Sequence, residues 1–401
     1  MAKHGFDEAK LHRNLDRLLG GWVERGELPC VQALVVRHGE TAYSKAFGWA
    51  DLEAKRPLAE DAIFRIFSMT KVFTSVAAMM LHEEGRFKMH DPLSRYIPAF
   101  GHTKVAICGA AGRVTYEVPR REIIVRDLFT MASGMPYPGI DTPSEREMHA
   151  IFEQMAVDRE AGKPWNGLRF AQACAERVPL NFHPGEHWWY GLSLDLLGVL
   201  VEVLSGQTLG AFMRERIFAP LGMHDTGFCV PPEKRDRFVR MYKSDDKGGY
   251  VPDTDNFYER DFYGENAMES GGGGLTSTLR DVGIFAQMLL GEGAWAGKRL
   301  LSRKSVALMR TNHLSEQQLK DYVWDTQRGY GYGLGVRVMM HPEIAGYGSV
   351  GEFAWDGLAG TWFAVDPAEQ MIAVFLMQIN PGGHYERVPY FAQTIYGAME
   401  D

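Results

Sequence analysis

Cysteine is scarce in this chain: four residues, Cys30, Cys108, Cys174 and Cys229, in 401, with no C-x-x-C pair. That excludes a disulfide framework or a zinc knuckle as the source of stability. An excess of positive charge is missing too. The formal net charge is −8, which argues against a protein built to hold phosphate backbones, so nucleic acid is not an expected partner. No uncharged run of about 18 apolar residues occurs, and no membrane-spanning helix is expected. The N-terminal stretch Met1-Ala-Lys-His-Gly-Phe-Asp-Glu8 lacks the apolar core of a secretory signal, which makes the cytoplasm the expected compartment. Internal repeats and Pro- or Ser-rich linkers are absent as well. What is present is a globular composition, 45% hydrophobic and 23% charged, too apolar for a disordered chain. Glycine is abundant and aperiodic, 44 residues, pointing to turns and close backbone approaches.

Periodicity divides the chain into recognisable pieces. Leu11, Leu15, Leu18, Leu19, Trp22 and Val23 recur at helical spacing between Phe6 and Leu28. Val31–Val36 and Thr41–Gly48 read as two strands of a hairpin around His38-Gly39-Glu40. A strong helix runs from Phe67 to Glu84, with Val72, Val76, Met79 and Met80 on one face and Gly85 as its stop. The middle mixes helical segments with Pro-Gly breaks, and Leu194–Leu204 is its clearest helix. Thr278-Leu-Arg-Asp281 resembles a capping box that opens a helix through Leu290. Gly329–Gln378 predicts three or four strands, and Arg387–Ala398 a closing helix.

That order suits an α/β (α+β) fold: one antiparallel sheet built from both ends of the chain, flanked by helices, with a mostly helical insertion. The expected division is a sheet domain of residues 1–91 and 249–401 and an inserted domain of residues 92–248, with the active site in the cleft between them.

Phe67-Ser68-Met69-Thr70-Lys71 is the leading chemical motif. Three residues apart at a helix start, Ser68 and Lys71 project from one face. A serine hydroxyl is a weak nucleophile until a neighbour takes its proton, and a neutral amine can do so. The helix start also offers unpaired N–H groups to a developing oxyanion. Alone the spacing is weak: Ser244-Asp-Asp-Lys247 repeats it in a charged, turn-like loop without an apolar stripe. Two further stretches accompany Ser68. Tyr190 follows Pro184-Gly-Glu-His-Trp-Trp and precedes an apolar helix. Phe353-Ala-Trp355-Asp356-Gly357-Leu358-Ala-Gly360 reads as a strand and a Gly-rich turn.

These three elements, in this order, resemble the serine hydrolases of the penicillin-binding-protein and class C β-lactamase superfamily, most of all its family VIII (β-lactamase-fold) esterases. Leu128–Gly134, Gly271–Thr278 and Tyr330–Gly335 resemble the family as well, and the resemblance spans roughly residues 10 to 398. It implies a β-lactamase/transpeptidase-like fold. Ser68 would be the acylated nucleophile, Lys71 would help to deprotonate it, and Tyr190 would be the general base or acid that relays the proton. Which of Lys71 and Tyr190 is the acylation base stays open, and the pair should titrate as one unit, activity rising with pH. The third motif, Trp355-Asp356-Gly357, implies an oxyanion hole from the N–H groups of Ser68 and Leu358. Trp355, Asp356, Gly357 and Tyr137 are the candidate substrate-binding residues.

Two departures bear on substrate. Class C β-lactamases usually carry Asn where this chain has Leu192, and a lysine where it has Trp355 followed by Asp356. A carboxylate at that place would repel an anionic substrate, so the expected substrate is a neutral short-chain ester. No metal or cofactor is needed, and the sequence leaves the oligomeric state open. The alternatives are a β-lactamase, a D-amino-peptidase or an acyltransferase on the same machinery, or a catalytically silent binding homologue.

Other motifs fail on context. His183-Pro-Gly-Glu-His187 has metalloenzyme spacing, but Pro184-Gly185 breaks the helix that would align the histidines. No G-x-S-x-G elbow occurs, and Gly329–Gly335 lacks dinucleotide spacing. Gly271–Gly274 reads as close backbone packing in preference to an anion nest. Trp189 and Trp362 read as core aromatics at least as readily as pocket walls.

Overall fold

The computed structural model describes residues 4–109, 112–245, 248–254, 262–264, 268–322, 324 and 327–400. Its first helix, α1 (Glu8–Glu24), is capped by the Asp7 side chain, which accepts from the Lys10 N–H, and buries Leu11, Leu15, Leu19 and Trp22. The spacing of those four is the stripe the sequence shows. Strand β1 (Cys30–Arg37) is buried on both faces and turns into β2 (Glu40–Asp51). His38 and Gly39 both hold positive φ, 52° and 78°, the conformation a two-residue hairpin turn needs. The short β3 (Arg56–Pro57) pairs with β2.

Helix α2 (Thr70–Glu83) is buried from Thr70 through Leu81. Helix α3 (Ser193–Ser205) ends at Gly206 in the left-handed region, as the Ser-Gly break predicts. Helix α4 (Leu279–Leu290) starts where Thr278 accepts from the Asp281 N–H. Five strands follow: β4 (Tyr330–Tyr332), β5 (Arg337–Met339), β6 (Phe353–Asp356), β7 (Trp362–Asp366) and β8 (Met371–Leu376), then helix α5 (His384–Tyr396).

All eight strands form one antiparallel sheet in the order β4-β5-β6-β7-β8-β1-β2-β3. Its seam joins the two ends of the chain, Gln32 to Arg37 opposite Leu376 to Met371. Side chains alternate between the two faces. Val31, Ala33 and Val35 pack with α1 and α5, whereas Leu34 and Val36 pack with α2 and α4. Phe73 of α2 stacks on Phe285 of α4 with ring centroids 3.7 Å apart. The core on this second face continues without a break through α3 and its neighbours, including Leu128, Phe170 and Leu196.

Two details differ from expectation. The C-terminal region has five strands, because β4 and β5 are three residues each and show no period. Helix α5 begins a turn earlier than predicted, with Pro389 early enough to be tolerated. The boundary expected at 248/249 lies within the loop of a small hairpin, Tyr242–Ser244 with Tyr250–Pro252. Among the described residues no single helix is long and apolar enough to cross a membrane.

Candidate active site

Ser68 sits on a tight 3-10 turn, Phe67–Met69, immediately before α2. The sequence predicts helix from Phe67 onward, but Phe67 has φ +40°, which no right-handed helix accommodates and which a bulky residue rarely adopts. The turn is fixed from both sides. Upstream, Ile63–Arg65 pairs with Thr276–Thr278, and the Ile66 N–H donates to the Leu275 carbonyl. Downstream, α2 carries Lys71 into the interior.

Lys71 is fully buried. Its Nζ lies 3.0 Å from Ser68 Oγ, 3.0 Å from the Tyr137 hydroxyl and 2.5 Å from the Gly272 carbonyl. Burial pulls its pKa down to about 8, against the upward pull of Asp195 and Asp356. An amine so placed exists partly as the free base near neutrality, and that form has a lone pair to offer the hydroxyl.

Tyr190 is half-buried at the bend before α3. A bridge between Pro136 and Gly191 brings Tyr137 beside it, the two rings 5.6 Å apart. Lys71 Nζ lies 4.8 Å from the Tyr190 ring centroid. Burial pushes the Tyr190 pKa up, and a hydrogen bond with Ser68 pulls it part of the way back. The phenol therefore keeps its proton at neutral pH. Amine, hydroxyl and phenol come together.

Reading the sequence alone missed the support for Lys71. Asp195, buried on α3, accepts from Ser270 Oγ at 2.5 Å and from the Gly272 N–H at 3.2 Å. It thereby holds the residue whose carbonyl receives Lys71. The available signal was an acid inside the apolar run Leu194-Asp195-Leu196. The Gly271–Gly274 segment is close-packed: a Cβ on Gly272 would lie 2.2 Å from Asp195 Oδ2, and one on Gly271 2.6 Å from the Leu194 carbonyl.

The third motif is placed beside Ser68. Trp355 is fully buried, its ring 5.7 Å from Tyr190 and 5.2 Å from Tyr332. It backs Tyr190. Asp356 points to the opposite face of β6, where Oδ2 accepts from Arg337 Nη1 at 2.8 Å and His384 Nε2 lies 3.7 Å from Oδ1. Its charge is answered there, so repulsion of an anionic substrate does not follow from it. Gly357 serves spacing: a Cβ would lie 2.4 Å from the Ile66 carbonyl, and only glycine lets β6 approach the Ser68 turn so closely. Leu358 is exposed, and neither its N–H nor that of Ser68 has an acceptor among the described residues. Free N–H groups there are what an oxyanion hole requires.

The remaining motifs fall elsewhere. Ser244 is exposed on a small hairpin, and Asp246 and Lys247 lie outside the described residues. His183 Nδ1 accepts from the Arg120 N–H, while His187 Nδ1 meets Asp321 Oδ2 at 3.0 Å; the two histidines serve different neighbours. No group of three His, Cys, Asp or Glu among the described residues is placed to hold a metal. Trp362 is buried and Trp189 exposed.

Comparison with known proteins bears on the family and the fold. The family model described as Beta-lactamase matches residues 15–396. Protein Rv1367c of Mycobacterium tuberculosis is 33% identical over 348 residues, 83% of this chain and 82% of its own length. Esterase EstB of Burkholderia gladioli is 32% identical over 235 residues, 57% of this chain and 55% of its own. Among solved structures, EstCE1, a hydrolase with promiscuous acyltransferase activity, superposes with a TM-score of 0.79 at 23% identity, covering 98% of this chain and 99% of its own.

Proposed function

This chain belongs to the beta-lactamase family, and from that premise we propose that it is a serine esterase acting on neutral short-chain esters through an acyl-enzyme on Ser68. One observation carries the reading: a fully buried lysine with its pKa drawn down to about 8, 3.0 Å from the serine on the turn that leads into α2.

The chemistry follows from the positions. Neutral Lys71 takes the Ser68 proton as Oγ attacks the ester carbonyl carbon. The N–H groups of Ser68 and Leu358 receive the oxyanion, an interaction typically worth about 100- to 1000-fold in rate per donor. Tyr190, held as a neutral phenol, gives its proton to the departing alkoxide and regains one from the Lys71 ammonium. Water then attacks the acyl carbon with the same groups in reverse order. Tyr137 positions Lys71 by accepting from its Nζ. The preference for a neutral substrate rests on Trp355 standing where the β-lactamases carry lysine. The similarity to EstB, an esterase by name, supports ester over amide.

Turnover of ethyl butyrate, followed by acid release at constant pH, by wild type, Ser68→Ala, Lys71→Ala and Tyr190→Phe tests the mechanism. Ser68→Ala should abolish turnover, and the other two should fall by about 100-fold or more. Intact-protein mass spectrometry should show the butyryl adduct on wild type alone. Undiminished turnover in Ser68→Ala rejects the reading. A nitrocefin arm separates ester from β-lactam cleavage, and adding an acceptor alcohol separates hydrolysis from acyl transfer.

A further inference from the structure

On the sheet face turned away from Ser68, strands β4 to β8 and helix α5 enclose a cavity of about 550 Å³, within the range of small-molecule sites. Neither Ser68, Lys71, Tyr137 nor Tyr190 lines it. Strand alternation makes the separation: Trp355 faces Tyr190, while Ala354 and Asp356 face α5.

Two deeply buried side chains in its wall are poorly partnered: Glu352 by one long hydrogen bond, His384 by Asp356 at 3.7 Å. Glu352 is 4% exposed, and its carboxylate receives only a long contact, 3.4 Å, from the Tyr330 hydroxyl. His384 is 2% exposed, and neither ring nitrogen has a hydrogen-bond partner. Charges are also uneven. Arg337 answers Asp356 at 2.8 Å. Asp366 accepts from the Tyr396 hydroxyl at 2.7 Å and the Ser349 N–H at 3.1 Å, neither of them a cation. Glu352 has no ion-pair partner among the described residues. An ionised carboxylate left unpaired in such a place is costly, whereas one met by a cation is not. Around it stand electron-rich faces: the Tyr330 ring already carries the Arg337 guanidinium at 5.1 Å, and the Tyr347 and Tyr396 rings stack 6.0 Å apart. Such faces favour an organic cation over an anion.

We propose that this cavity binds a small primary ammonium ion with an aromatic or apolar body, its head on Glu352 and its body among Tyr330, Tyr347 and Tyr396. The site is separate from the ester chemistry.

Binding should then follow the ionisation of Glu352. Burial pushes its pKa up to about 7; Arg337 on β5 draws it down, and Asp366 on β7 pushes it up. Tyr330 on β4, Asp356 on β6, Arg328 and Tyr347 at the rim, and His384, Tyr385 and Tyr396 on α5 are the other titratable or charged groups lining the cavity. Ionisation with rising pH creates the charge the ammonium meets, so affinity rises through neutrality.

The test uses Ser68→Ala protein, so that ester chemistry plays no part. Calorimetric titration with 2-phenylethylamine and its neutral counterpart 2-phenylethanol should show the amine binding at least about tenfold tighter. Amine affinity should be about fivefold or more higher at pH 8 than at pH 6. Glu352→Gln should weaken the amine at least about tenfold, leaving the alcohol unchanged. Ala392→Phe, from the partly exposed helix wall, should fill the space and remove binding with thermal stability retained. The proposal is overturned by amine and alcohol binding alike, by amine affinity unchanged in either substituted protein, or by no heat from the amine at about 10 mM.

Discussion

Lys71 donates to three oxygens at once, and this fixes what the residue does at each pH. As an ammonium all three of its protons are used, on Ser68, Tyr137 and Gly272. As a free amine it keeps two protons and turns a lone pair towards Ser68. With a pKa near 8, about a tenth of it is in the basic form at pH 7, while Tyr190 remains a neutral phenol. On the proposed mechanism, the acylation base that the sequence left open would be Lys71. Asp195 sharpens the test, because its charge raises the Lys71 pKa. Asp195→Asn keeps an oxygen for Ser270 and the Gly272 N–H but removes that pull. The rising limb of kcat/KM against pH should move to lower pH, by up to about one unit. An unmoved limb, or one moved upward, would mean that another group titrates. At this scale the sequence was partly legible. Ser68 and Lys71 lie three residues apart, so a local rule finds them. Tyr190 needed the family resemblance. The actions of Tyr137, Asp195 and Gly272 on Lys71 depend on chain crossings, Pro136 against Gly191 and Gly271 against α3, that no local pattern encodes.

Each group of the proposed mechanism is held by the end of an element: the start of α2, the start of α3 and the last residues of β6. Elements with a long apolar stripe or a strong turn, such as α1, the β1–β2 hairpin and α4, follow directly from periodicity. The joints between elements do not. The positive φ at Phe67 and the approach of β6 to the Ser68 turn are tertiary facts. Gly357 marks the tightest joint, where a methyl group would meet both the Ile66 carbonyl, at 2.4 Å, and Thr361 Oγ1, at 2.3 Å. Gly357→Ala should push the Leu358 N–H away from Ser68. A displacement of about 1 Å at such a site costs on the order of 100-fold in rate. The loss should appear mainly in kcat, since ground-state contacts of the ester are less affected than the oxyanion. Steady-state kinetics on one ester decides it: wild-type kcat in Gly357→Ala would remove Leu358 from the oxyanion hole.

The sheet closes only when the two ends of the chain meet at β8 and β1, so the candidate site is assembled by the same event that completes the core. A buried lysine is a cost to that event, and its size can be read from pH. In the unfolded chain Lys71 titrates near its ordinary value of 10.5, and in the folded protein near 8. Below pH 8 both states hold the proton, and the folded state bears the full penalty, on the order of 3 kcal/mol. Between pH 8 and 10.5 the unfolded state holds more protons than the folded one, so this residue's contribution to stability rises with pH and the penalty fades. Lys71→Met carries no such charge and has a flexible side chain that fits a lysine-shaped space. It should be inactive, yet its stability relative to wild type should be greatest at pH 7 and should decline steadily from pH 8 to 10. Urea unfolding of both proteins across that range measures the difference directly. A stability difference independent of pH would show that Lys71 keeps its proton on folding, and the base assigned to Ser68 would have to be sought elsewhere.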